Sequence, residues 1–173
     1  MPEAQYWAGE ASRSTRHAAM NATFVGSGIR ALLAGLVLAP FVPRLGRWVV
    51  LPLGCAYALG QVLVGFFPAG TGAVRAPAHG IGAFLAIGGG CLLLVAVAVS
   101  FVRRNPVLTL VTGAIGAIGI ASAWVGMSGA GHTGFGLYER LAVDTVMVWQ
   151  VVVGVLVLAT ARPPSSVGVR QRD

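Results

Sequence analysis

Lysine is absent from this 173-residue chain, and all twelve of its basic residues are arginines. Only five acids accompany them, and charged residues make up 10% of the chain. With a mean hydropathy of +0.80, that leaves too little polar side chain to cover a water-exposed fold, so lipid must cover most of the surface. Cysteine is scarce too. Cys55 and Cys91 fall inside apolar runs, away from any oxidising aqueous compartment, with neither CxxC spacing nor a nearby histidine. They read as small packing residues. The first sixteen residues lack a basic-then-apolar pattern ending in a small-residue cleavage site, which speaks against a removable signal peptide. The pI of about 11.1 does not point to nucleic acid, because the arginines are spread over the ends of apolar runs and form no patch interleaved with aromatics.

What the chain does have is five long apolar stretches, each near the ~20 residues that cross a bilayer as a helix. The expected spans are 18–42, 48–67, 80–102, 106–127 and 137–160. Arg103-Arg104-Asn105-Pro106 makes a compact turn between the third and fourth, and a Gly-rich segment with His132 joins the fourth to the fifth. The expected fold is all-α: a polytopic transmembrane helix bundle of about five spans over residues 18–160. A polar N-terminal segment precedes it at 1–17 and a polar cytoplasmic tail follows at 161–173.

Orientation follows from arginine, since basic residues near span ends stay on the cytoplasmic side. Arg44, Arg47, Arg103, Arg104, Arg162, Arg170 and Arg172 fall on one side, against Arg13, Arg16, Arg75 and Arg140 on the other. The expectation is a multi-pass protein of the cell membrane with its N-terminus outside and C-terminus in the cytoplasm. Heavy use of Ala, Gly, Val and Arg without Lys fits a GC-rich coding bias and a bacterial source.

Helices in lipid associate through small residues and a few polar contacts. Gly82, Ala86 and Gly90 form one small-residue stripe, and Gly116, Gly119, Ala123 and Gly126 another. Both read as helix contact faces. Gly88-Gly89-Gly90 is no phosphate loop, because no strand precedes it and it lies at membrane depth.

Arg30 and Asp144 are charges inside spans, each costing about 2.5–3.5 kcal/mol there unless partnered or hydrated. One reading pairs them across the first and fifth helices. The local alternative pairs Arg140 with Asp144 at i,i+4. Near them in depth lie His79, Glu139, Arg140 and His132. The candidate ligand-binding set is therefore Arg30, His79, Glu139, Arg140 and Asp144. It admits an acid/base pair, a proton relay, a polar vestibule for a headgroup or small solute, or wet interfacial residues that tie loops together. No HxxxH or HExxH spacing holds metal ligands on one face, and the histidines at one edge do not suit haem. No metal and no cofactor is expected. Trp48, Trp124, Tyr138 and Trp149 read as interfacial or packing aromatics, and Trp149-Gln150 lies deep enough to need hydrogen-bond partners.

Gly65-Phe66-Phe67-Pro68, then His79-Gly80 at a helix start, then Gly134-Phe135-Gly136-Leu137-Tyr138-Glu139-Arg140-Leu141 leading to Trp149, resemble the DUF998 family of integral membrane proteins. The resemblance covers most of the chain from about Tyr6 onward. It implies a six-helix bundle from which this chain lacks the first helix, through a late start-codon assignment or a truncation. An inside terminus on that missing helix would leave the orientation unchanged. The resemblance supplies no catalytic residues, but its matching positions include His79, Glu139 and Arg140.

Three functions fit these readings. The first is binding of a lipid headgroup or small polar solute at an outward-facing polar cluster. The second is an intramembrane enzyme using His79 and Glu139 as acid/base groups on a lipid-borne substrate, which requires that a cavity join them. The third is an accessory subunit, whose glycine faces dock a membrane-protein partner or a second copy of the chain. That last reading fails if the stripes are consumed within the chain.

Overall fold

The computed structural model describes residues 17–69, 76–128 and 135–160. They form five helices: α1 (His17–Leu38), α2 (Arg44–Phe66), α3 (Ala76–Phe101), α4 (Pro106–Met127) and α5 (Phe135–Thr160), with a 3-10 turn, Ala39–Phe41, after α1. Arg13, Arg16, Arg75, His132 and the tail arginines fall outside the described residues.

Four helical stretches are long and apolar enough to cross a membrane among the described residues: His17–Phe41, Gly46–Phe66, Ala76–Phe101 and Pro106–Met127. The fifth helix has 26 residues, long enough to span, with Glu139, Arg140 and Asp144 within its first ten. The surface is apolar: Phe84 is 72% exposed, Leu110 74% and Leu158 77%, while Thr112 and Gln61 are buried. Lipid is the solvent that such a surface suits. The molecule is a multi-pass membrane protein built as a helix bundle.

Some helix ends run beyond the apolar stretches. The second begins at Arg44 and the third at Ala76, four residues ahead of the expected Trp48 and Gly80. Hydropathy marks hydrocarbon depth, whereas backbone hydrogen bonding continues through the interface. The α3–α4 turn follows local chemistry: the Asn105 side chain caps α4 by accepting from the Leu108 N–H at 3.0 Å, and Pro106 occupies the first turn, where a missing N–H costs nothing.

The helix α3 is central, packing against α2, α4 and α5, while α1 leans on α2. Small residues make the close approaches. A Cβ on Gly60 would lie 2.7 Å from the Gly82 carbonyl oxygen, and one on Gly82 would lie 2.8 Å from Leu63 Cβ. Gly90 faces Val146 and Tyr57, Gly116 faces Leu94, and Gly119 lies between Cys91 and Thr145. The two small-residue stripes are therefore spent largely on contacts within the chain. Those faces are engaged mainly by other helices of the same chain.

Candidate functional site

Four helices leave a cavity of about 520 Å³ at one end of the bundle. Its walls come from the start of α1, the end of α2 and the starts of α3 and α5. In an up-and-down bundle these ends share one side of the membrane. Arg44, Arg47, Arg103 and Arg104 stand at the opposite ends of α1–α4.

His79 lines the cavity from the first turns of α3, and its Nδ1 lies 2.8 Å from the Phe67 carbonyl oxygen. A carbonyl only accepts, so Nδ1 carries the proton and donates. Neutral His79 then has its lone pair on Nε2. The same bond gives the Phe67-Pro68…His79-Gly80 pattern a physical meaning. Phe67 terminates α2, where its N–H donates to the Leu63 carbonyl, and its own carbonyl then anchors the start of α3.

Glu139 and Arg140 line the cavity from the start of α5, together with Val143. Their placement follows from helical periodicity. Ala142 and Val146 are buried against α3 and α4, and Trp149 is half-buried there, donating from Nε1 to Thr112 Oγ1 at 2.9 Å. Residues 139, 142, 146 and 149 form one stripe at spacings of three and four, so Glu139 continues the inward face toward the cavity. Neither Glu139 nor Arg140 takes part in an ion pair among the described residues, and both face a space in which a ligand can lie.

The other two candidates are placed elsewhere. Arg30 is exposed on α1, beside an apolar groove with Ile29, Leu33 and Val37, and donates from Nη2 to Gln150 Oε1 at 3.2 Å. Gln150 stands six residues beyond Asp144, roughly 9 Å further along α5 at 1.5 Å per residue. That depth matches Arg30 on α1, so a neutral amide partners the arginine instead of the expected carboxylate. Asp144 is exposed, outside the cavity lining, and among the described residues is paired with neither Arg30 nor Arg140. The structure thus brings His79, Glu139 and Arg140 together and leaves Arg30 and Asp144 outside.

The cavity also includes residues that a search for charges passes over. Asn21 and Gln61 line it, and Gln61 is 1% exposed. Behind Gln61, the buried Tyr57 lies beside Ser27 and Gln61 and within electrostatic reach of Arg30. Among the described residues Ser27 Oγ, Tyr57 Oη and Gln61 Oε1 are buried close together, near enough to interact with one another but short of good hydrogen-bond geometry. A buried polar atom left unpaired costs about 1–3 kcal/mol, and grouping lets these three side chains partner one another. The signal in the sequence was Gln61 itself, a lone amide in an otherwise apolar run. Among the described residues no three His, Cys, Asp or Glu side chains group as metal ligands.

No curated protein and no solved structure matches the chain. A family model does: the Protein of unknown function family DUF998 matches residues 8–156. The match takes in all of α1–α4, most of α5 and every residue that lines the cavity. The chain belongs to the DUF998 family.

Proposed function

We propose that the protein binds the polar headgroup of a lipid, or a solute of that size, in this end cavity, which opens on the outer face of the membrane. The observation that carries this reading is the convergence of Arg140, Glu139 and His79 on one cavity of about 520 Å³ whose remaining walls are largely apolar. A space of that size suits a small molecule, and apolar walls with a few polar groups suit an amphiphile. Arg140 offers five N–H donors in a planar fork that fits a phosphate or carboxylate. Outward opening is supported by the arginines at the opposite helix ends.

The test uses purified protein in detergent, titrated with short-chain phosphatidylglycerol and phosphatidylethanolamine, with binding read by native mass spectrometry. Arg140→Gln is expected to weaken binding of the anionic lipid about tenfold or more, with thermal stability unchanged. Equal binding by the variant overturns the reading. Orientation is checked separately by Ala69→Cys, which is expected to react with an impermeant maleimide added outside intact cells.

The enzymatic reading has one specific observation in its favour. The bond to Phe67 leaves His79 Nε2 as a free acceptor in the same cavity as Glu139. A base on a lipid-borne hydroxyl or water needs that arrangement. Time-dependent conversion of a vesicle lipid, lost in His79→Gln while binding is retained, would favour catalysis over binding.

A further inference from the structure

Glu139 and Arg140 bring opposite charges to one cavity, and neither cancels the other. Consecutive residues of a helix point about 100° apart, so the two side chains do not face each other. The helix offers Glu139 no basic residue three or four positions away, since Phe135, Gly136, Ala142 and Val143 occupy those places. Arg140 has Asp144 four residues on, but that carboxylate lies outside the cavity lining, and the two form no ion pair among the described residues. Among the described residues that line the space, Glu139 is the only acid and Arg140 the only arginine or lysine. Both keep accessible surface, Glu139 half-buried and Arg140 exposed. His79, also half-buried, adds an acceptor at Nε2, because Nδ1 is held by the Phe67 carbonyl.

These two charges set conditions on the ligand. A purely anionic group at Arg140 sits beside the Glu139 carboxylate and leaves the cavity with a net negative charge, and a lone cation at Glu139 meets the converse beside Arg140. Away from bulk water, both arrangements are unfavourable. A ligand with one anionic group and one ammonium meets both side chains and adds no net charge. Resting on the headgroup reading above, we propose that the cavity takes a zwitterion in which a primary ammonium stands close to a phosphate. Arg140 donates to the phosphate, and the ammonium donates to Glu139 and to His79 Nε2. Glu139 is the specificity-determining residue that distinguishes this zwitterion from a plain anion. The same chemistry is carried by a phosphatidylethanolamine headgroup and by free phosphoethanolamine. Phe24, Met20, Val64 and Ile87 in the walls suit the first acyl carbons of the lipid form.

The experiment compares three short-chain lipids on the unaltered full chain in non-ionic detergent. Phosphatidylethanolamine has the phosphate and a primary ammonium, phosphatidylglycerol has no ammonium, and phosphatidylcholine has an ammonium without N–H groups. Phosphatidylethanolamine is expected to bind about tenfold more tightly than either of the others, the worth of one charge-assisted hydrogen bond. Equal binding of phosphatidylethanolamine and either of the others overturns the proposal without any variant having to fold. Glu139→Gln, which keeps the size of the side chain and removes its charge, is expected to reduce the preference over phosphatidylglycerol to about twofold or less. A full preference that survives in Glu139→Gln overturns the proposal as well. Arg140→Gln separates the two levels: if it weakens all three lipids while the unaltered protein shows no preference among them, the headgroup reading stands and the zwitterion proposal falls. Competition by phosphoethanolamine at concentrations equal to the lipid, lost in Glu139→Gln, supports the proposal with a free solute as the source. Failure to compete, with the lipid preference intact, supports it with the lipid as the source.

Discussion

Two ends of the same helix pair behave in opposite ways. Along most of their length α2 and α3 approach backbone to backbone, with Gly60, Gly82 and Gly89 so placed that an added methyl group would press on the facing helix. Toward the Phe67 end, where the α1 and α5 starts approach, the helices instead enclose a space of about 520 Å³ bordered by His79, Glu139 and Arg140. The seam contains almost nothing that can do chemistry. The cavity contains Glu139 and Arg140, which form no ion pair among the described residues. In lipid, where apolar contact alone does not drive helices together, close packing at small residues secures the scaffold and frees the other end to keep a polar opening.

The sharpest way to break this contrast is to add bulk to the seam. Gly60→Leu is expected to destabilise the protein by about 3 kcal/mol or to prevent folding, read as a lost thermal transition in detergent, because the atoms it meets are backbone. Gly54→Ala, on the same helix with nothing within 4 Å of its Cβ, is expected to be neutral or to stabilise by up to about 1 kcal/mol. If the two behave alike, the seam is not what holds α2 against α3.

Two neighbours on α3 sharpen the comparison further. Gly82 packs against Leu63 and Val64, whereas Ala83 lines the cavity. Ala83→Leu is expected to shift stability by less than about 1 kcal/mol, since its new atoms enter open space, and to lower headgroup binding about tenfold. Unfolding by this change would mean that the cavity end is as tightly packed as the seam.

A smaller effect is expected at the buried polar contact between α4 and α5. Thr112→Val removes the acceptor for Trp149 Nε1 and should cost about 1 kcal/mol in thermal or denaturant unfolding. The smallest concerns the charges. Because Arg30 bonds Gln150, reversing Asp144 in an Arg30→Glu background should restore nothing, with a coupling below about 0.5 kcal/mol in a double-mutant cycle. Rescue by the double reversal would restore the Arg30–Asp144 bridge as the controlling pair.

Much of the fold was legible in the sequence because its causes are local. Five apolar runs, the Asn105-Pro106 cap and the small-residue stripes each act through neighbours along the chain or on one helix face. The site was legible in part. His79, Glu139 and Arg140 could be singled out as polar groups near helix mouths, and the Phe67-Pro68…His79-Gly80 pattern marked the connection that positions one of them. Gln61, Tyr57 and Ser27 were passed over because an amide and two hydroxyls inside apolar runs look like incidental packing until other helices surround them.

The sequence by itself determined that the protein lies in a membrane as a bundle of long helices, since twelve arginines and five acids cannot solvate a chain this apolar in water. Tertiary structure decided which polar groups share a space. Helix phase and depth turn Glu139 and Arg140 into the cavity and leave Asp144 outside, and they align Arg30 with Gln150 instead of the carboxylate six residues earlier. Charge alone does not specify a partner at membrane depth. Position along and around each helix does.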